Sequence, residues 1–468
     1  MRSPVATLGA LVLLIALAGC SSSGAADRGN SPRAVTSTQS APAPTASAGP
    51  PVAATDWPQY HGNAARTGAV AGVAAAGPLG VAWRAPLGGA VYGQPLVVGS
   101  VVIAATEQHD VIYGLDLATG AVRWHTSVGT AEPVSEQPCG DLNPLGITST
   151  GAYDPQTGLV YFVAQSGTSL HVLVGLDPAT GTVMLRQNVP SPDHQPFYDQ
   201  QRGALAVDDG YVYVVFGGHY GDCGPYIGSV VGMPATGHGT IYSYLVPTAK
   251  QGGIWAPGGP VVGPDGRIYV SAGNGEPTAG PYDGSDSVTA LTPQLTQVGI
   301  FAPTDWRTLS ADDLDLGSMS PALLANGQIL QVGKSGTGYL LNSAHLGGVG
   351  GQVASGPVCA AFGGAAVSGS VVYVPCLTGL AAVSTAGSGV RVRWRGPSNV
   401  WGSPVVGGGA VFVASPDTGV LDELSQTTGQ VRAQLQIAGA LPHFVSPSLS
   451  GSLVLIGTLT GVTAVSGA

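Results

Sequence analysis

Four stretches of this chain lie over one another. Gly93–Trp124 reads GQPLVVGSVVIAATEQHDVIYGLDLATGAVRW, and Gly402–Leu435 reads GSPVVGGGAVFVASPDTGVLDELSQTTGQVRAQL. Gly259–Thr292 opens GGPVVGPDGRIYVSAGNGE and resumes DSVTALT; Ser446–Val465 reads SPSLSGSLVLIGTLTGVTAV. Each begins with a proline (Pro95, Pro260, Pro404, Pro447) and two or three apolar residues. A Gly-rich turn, a β-branched run, a short loop and a third apolar run follow. Two copies close on an Asp-x-x-Thr-Gly or Thr-Thr-Gly turn. A repeat of this size made only of strands and turns reads as a propeller blade. The expected fold is all-β, a single eight-bladed propeller closed by strands from both ends.

The blades are expected at Tyr92–Gly129, Leu145–Val189, Gly203–Pro247, Gly259–Pro303, Ser320–Gly347, Cys359–Gly396, Gly402–Ile437 and Ser446–Val465. The last stops after its third strand. Val81–Leu87 (VAWRAPL) matches the Trp-bearing outer strands Val122–Trp124 and Arg391–Trp394, so it supplies the missing fourth. Closure of this kind removes an open sheet edge. One short helix is expected, over Ser310–Leu316, with Ser310 as its cap.

The start of the chain is a separate region. Met1–Gly19 has one basic residue, Arg2, and an apolar run Leu8–Leu17, the pattern of a secretory signal. Leu17-Ala-Gly-Cys20 resembles a bacterial lipoprotein box, which implies that Cys20 is acylated and anchors the chain to the outer face of the cell membrane. Residues 20–55, mostly Ser, Ala, Pro, Thr and Gly, carry too little apolar surface to fold and read as a tether. The propeller then occupies 56–468.

Charged residues make up only 9% of the chain, well under the ~25% of ordinary domains. The formal net charge of −10 and the lack of a Lys/Arg cluster argue against nucleic acid as a partner. With Cys20 set aside, Cys139, Cys223, Cys359 and Cys376 form an even set that lacks close C-x-x-C pairs. Three pairings are open. Cys359 precedes an expected inner strand (Ala360–Val367) and Cys376 follows the next (Val371–Pro375), which favours Cys359–Cys376 and leaves Cys139–Cys223.

Strand order also assigns loops to faces. Loops between second and third strands share one face with the crossovers between blades. That face collects His109, Cys139, His219, Asp222, Cys223, Asn274, Glu276, Asp283, Asp286, Asp305, Asp312, Asp313, Asp315, Lys334, Cys359 and Cys376. A concave mouth rich in such residues is where a small ligand or a protein partner is expected. Tyr282–Ser287 spaces acidic residues closely but lacks a full calcium loop, and reads as a solvated turn. There is no H-E-x-x-H or G-x-S-x-G pattern.

The repeats, together with the lead-in DWPQYHGNAARTG (Asp56–Gly68), resemble the pyrroloquinoline-quinone-like (PQQ-like) propellers, actinobacterial propeller lipoproteins in particular. That superfamily holds both quinoprotein alcohol dehydrogenases and the non-enzymatic lipoprotein propeller of outer-membrane barrel assembly. The resemblance implies roles residue by residue. Trp255 in GGIWAPGG matches the tryptophan under the quinone, and Asn274 in AGNGEP matches a calcium ligand. Asp305 in PTDW is the nearest match to the catalytic aspartate, and Lys334 in QVGKSGTGYLLN to the lysine on the quinone oxygens. Two features depart from the enzymes. No two cysteines are adjacent, and His219 stands where they supply a calcium-binding glutamate, with Asp222 as the only nearby substitute. The resemblance therefore implies a membrane-anchored binding or scaffold propeller. A dehydrogenase using PQQ and Ca²⁺ to oxidise an alcohol or sugar is the alternative.

Overall fold

The computed structural model describes residues 49–71, 78–167, 170–387 and 389–467. The signal segment, Cys20 and nearly all of the tether lie outside these residues.

Eight antiparallel sheets follow one another along the chain, each with four meandering strands. Blade one shows the pattern: Leu96–Val98, Val101–Thr106, Val111–Asp116 and Val122–Ser127, from the channel outward. Its two inner strands are wholly buried, while the outer one alternates between solvent and the next blade. Blade eight is built from both ends. Ser448–Ser450, Leu453–Thr458 and Gly461–Gly467 come from the end of the chain, and Leu79–Pro86 pairs with the last of them, from Leu79↔Gly467 to Pro86↔Gly461. The expected closing strand is therefore in place.

The repeated Thr-Gly turn explains how one blade seats against the next. In the second blade, Asp177 Oδ1 accepts the amides of Ala179 and Thr180, and Gly181 closes the turn at φ 71°. A Cβ at Gly181 would strike the Trp124 ring of blade one, so only glycine lets the indole lie there. Trp124 Nε1 then donates to the Pro178 carbonyl at 3.1 Å. Trp83 makes the same bond to Leu117 (3.0 Å) and Trp394 to Gln426 (3.2 Å). The turn of one blade and the outer-strand tryptophan of its neighbour form a single unit.

Three boundaries differ from expectation. Blade five ends on Ala354–Pro357, beyond Gly347. Positive φ at Gly347, Gly348 and Gly350 lets the chain make an excursion there, and Gly348–Val349 pairs in parallel with the outer strand of blade four. The inner strand of blade six starts at Ala366, not Ala360, because 359–365 turns along the mouth, with Gly363 at φ 96°. The helix runs over Trp306–Ala311, four residues earlier than expected, and Asp313 at φ 53° ends its path. Its start is set by Trp306, which is buried and meets Tyr282 edge-on at 5.1 Å. Both favoured disulfides are present, Cys139–Cys223 and Cys359–Cys376. Among the described residues no helix is long and apolar enough to cross a membrane.

The lead-in takes a path that its sequence does not announce. Trp57 bridges Val97 of blade one, and the Pro58 carbonyl accepts from Tyr153 of blade two. Gln59 exchanges two hydrogen bonds with Val207 of blade three. The carbonyls of Ala64, Thr67 and Gly68 accept from Val262, Val367 and Val406, inner-strand residues of blades four, six and seven. His61 Nε2 lies 3.1 Å from Ser446 Oγ, at the start of blade eight. The segment thus plugs the channel. At its centre the Arg66 guanidinium donates to the carbonyls of Leu205 (2.6 Å), Pro260 (3.1 Å) and Tyr60 (3.2 Å). Burial, then the Arg66 charge, pushes His61 down to about 3, so its ring is neutral.

Candidate functional site

Above the plug, the loop-rich mouth holds a closed group of polar side chains. Asn274 follows the strand Ile268–Ala272, Lys334 follows Gln328–Val332, and Asp315 lies in the crossover between blades four and five. The Lys334 Nζ sits 2.6 Å from Asp315 Oδ2 and 2.7 Å from Asp313 Oδ1. The Asn274 backbone amide donates to Asp315 Oδ1 at 2.7 Å. Oriented with its nitrogen toward Asp315, the Asn274 side-chain amide donates to the same carboxylate. A Cβ at Gly273 would collide with Asp315, so that glycine makes room for the carboxylate. Burial lifts the Asp315 carboxyl above its ordinary value, with the Lys334 ammonium opposing. Burial alone would lower Lys334, but Asp315 and Asp313 outweigh it and hold its pKa up. The ammonium is thereby locked between the two carboxyl groups.

Aromatic rings cross the mouth beside this group. Lys334 Nζ lies 6.0 Å from the centre of the Trp255 ring. Trp255 meets Phe444 at 6.2 Å, Phe444 meets His443 at 6.1 Å, and His443 meets Trp401 at 5.6 Å. The row spans the crossovers into blades four, seven and eight. Arg202 stacks over Phe444 at 5.6 Å and donates to the Thr148 carbonyl at 3.0 Å. Burial lowers its pKa to about 10, which leaves it charged. Phe444 adopts φ 62°, a left-handed conformation uncommon for a bulky residue, so its neighbours hold it in place.

Residues 66–279 match the family model of the outer membrane protein assembly factor BamB. No curated protein matches the chain in sequence. Among solved structures, it is similar to the quinohemoprotein alcohol dehydrogenase of Comamonas testosteroni (17% identity, 88% of this chain and 80% of that one, TM-score 0.65). It is also similar to a europium-containing methanol dehydrogenase (17%, 87% and 91%, TM-score 0.66). BamB from Moraxella catarrhalis aligns at 14% identity over 80% of this chain and 96% of that one, TM-score 0.54. The chain has the PQQ-like propeller fold.

In this PQQ-like propeller, three of the residues singled out from sequence come together: Trp255, Asn274 and Lys334. Asp305 stands apart. It is exposed at the head of the helix Trp306–Ala311, and its carbonyl accepts from Thr308 and Leu309. Asp315 occupies the place beside Lys334. Asp222 approaches only through Tyr226, whose hydroxyl donates to Asp222 Oδ1 at 2.6 Å. The acidic turn Tyr282–Ser287 is not the solvated turn expected: Ser285, Asp286 and Ser287 are fully buried, and its carboxylates are satisfied by protein donors. Asp283 accepts from Thr248 and Ser285, and Asp286 from Ser310 and the Leu316 amide.

The donor set does not fit Ca²⁺. A calcium ion takes 6–8 oxygen ligands, yet an ammonium already bridges Asp313 and Asp315, and Asn274 turns its NH₂ toward the same carboxylate. Among the described residues no group of three or more His, Cys, Asp or Glu is arranged around a metal position. Asp315, Arg202, Trp401, His443 and Phe444 are the mouth residues that motif matching did not single out. Only their placement in crossovers could have pointed to them.

The loops of this face also carry buried carboxyls. Burial pushes Asp110 and Asp286 up to about 7 and Asp199 to about 8. Such groups bind protons more tightly folded than unfolded. Their contribution is therefore complete below the unfolded value near ~3.9 and is lost as pH rises through ~7–8. His61, His171 and His219 are pushed down to about 3, 3 and 4, and their contribution is complete above ~6.5. Between about pH 6.5 and about pH 8.5 only the carboxyls change. Calorimetry is expected to show Tm falling across that interval; a flat or rising Tm would contradict it.

Proposed function

We propose that the chain is an extracytoplasmic propeller, anchored through Cys20, whose loop-rich mouth binds a partner or small ligand rather than a quinone. The observation that carries this reading is Lys334, whose ammonium is already held by Asp313 and Asp315 rather than left free for a quinone oxygen. The mouth instead presents a half-buried aromatic row, Trp255–Phe444–His443–Trp401, with His443 exposed and Arg202 beside it. Aromatic residues and arginine are the side chains that dominate recognition surfaces. The likeness to BamB agrees with a scaffold role, and fold alone does not decide chemistry.

A second reading, a PQQ-dependent alcohol or sugar dehydrogenase, is favoured by the convergence of Trp255, Asn274 and Lys334. Titration of the purified protein with PQQ and Ca²⁺ separates the two. The binding reading expects no spectral change and no turnover of alcohols or sugars. A saturable shift with turnover would replace it by the second.

The anchor has its own test. Cys20→Ala is expected to release the protein from the membrane fraction with an unchanged melting curve, because the tether separates the anchor from the blades. Recovery of the variant in the membrane would place the anchor elsewhere.

A further inference from the structure

A cavity of about 1130 Å³ opens on the face opposite the mouth, where the hairpins between first and second strands lie. It is at the upper end of the ~300–1,000 Å³ typical of small-molecule sites. The plug forms its floor, through Asn63, Ala64, Ala65, Thr67, Ala69 and Val70. Its walls are the first hairpins of blades three to seven, including Asp208, Leu324, Ser368 and Gly408. The plug therefore separates this cavity from the mouth. The segment 49–56 crosses the same face elsewhere, where Gly49 donates to the Pro155 carbonyl and Asp56 accepts from Gly99, in blades two and one. Among the described residues it leaves the hairpins of blades three to seven uncovered.

The polar side chains of the wall are mostly spent on one another. Asn63 donates to Thr67 at 2.7 Å, Gln426 to Ser368 at 3.0 Å, and Tyr269 to the Ser343 carbonyl at 3.1 Å. Asp265 pairs with Arg267. What remains is an alanine, valine and leucine surface with one exception. Asp208 is half-buried, and its carboxylate has no hydrogen-bond partner among the described residues. Among the described residues no lysine, arginine or histidine lines the cavity. An apolar wall with one unanswered negative charge complements a ligand of opposite pattern.

We propose that this cavity is a second binding site, for a small molecule with an apolar body and a single positive charge seated at Asp208. Three fluorescent probes of similar size test it: berberine (cationic), N-phenyl-1-naphthylamine (neutral) and 1-anilinonaphthalene-8-sulfonate (anionic). Berberine is expected to saturate at one per chain, the neutral probe to bind more weakly, and the anion to give no saturable signal. Asp208→Asn is expected to weaken berberine by about tenfold or more, the worth of a charge-assisted contact, while leaving the neutral probe nearly unchanged. Ala65→Trp and Ala325→Trp are expected to abolish both, with melting curves reporting that each variant folds. Arg391→Ala, on an exposed outer strand, is expected to change neither. The proposal is overturned if the anion binds as tightly as berberine, or if neither cation nor neutral probe saturates. It is also overturned if Asp208→Asn leaves berberine binding intact, or if both folded tryptophan variants keep it. Should the tryptophan variants fail to fold, Asp208→Asn decides alone. Because the probes report on the face opposite the mouth, failure here leaves the reading of the mouth untouched.

Discussion

Arg66→Ala is expected to remove most of the stability of the propeller. The guanidinium is the donor to three buried carbonyls, Leu205, Pro260 and Tyr60, which join blade three, blade four and the plug. A buried acceptor left without a donor costs ~1–3 kcal/mol, so three together rival the ~5–15 kcal/mol by which typical domains are stable. Trp57→Ala, at a side chain with no exposed surface, is expected to cost about 3–5 kcal/mol on its own. Arg391→Ala, on an exposed outer-strand residue, serves as the control. Urea unfolding should show a collapse of the midpoint for Arg66→Ala and little change for Arg391→Ala. If the two midpoints coincide, the lead-in is a passenger in the channel rather than part of its structure.

The second large effect belongs to the ion pair at the mouth. Lys334→Ala leaves Asp315 with a carboxylate that is only 6% exposed and has lost its counter-charge. Removing one partner of a buried pair typically costs ~3–5 kcal/mol. The double variant Lys334→Met with Asp315→Asn removes both charges and is expected to recover most of that loss. Asp313, with a side chain 69% exposed, contributes little, and Asp313→Ala should be near neutral. Thermal melts of the three proteins measure the pattern. A double variant no more stable than the single one would show that the pair matters for more than its charge balance.

Much of the fold was legible because its signals are local and repeated. A proline before a short apolar run marks the inner strands of blades one, four, five, seven and eight, and a Thr-Gly pair marks the outer turns of blades one, two, three and seven. The repeat made the missing fourth strand of the last blade visible by subtraction, and strand order brought Cys359 to Cys376. The plug was not legible, since its partners are backbone groups of blades far apart in sequence and its own letters have no period. The site was half legible. Trp255, Asn274 and Lys334 stand in recognisable local strings. Asp305 and Asp315 lie in the same crossover, and sequence gave no ground for choosing between them. The helix Trp306–Ala311 decides it, with Asp305 exposed at its head and the returning chain delivering Asp315 to Lys334. The aromatic row draws on three separate crossovers with no shared motif, so only the folded ring assembles it.

The closing strand of blade eight dictates an order of assembly. Leu79–Pro86 is made before any blade, yet its partner, Gly461–Gly467, lies at the far end of the sequence. The plug is made earlier still and needs inner strands from blades one to four, six and seven. These early-made segments are therefore among the last to be buried. Contacts this distant in sequence form late and slowly. A product cut short after blade seven would carry an eight-residue strand with an unpaired edge, whatever the quality of the blades behind it. Closure of the ring therefore requires that Gly461–Gly467 has been made, and molecules that lack it expose the strand by which they can be recognised.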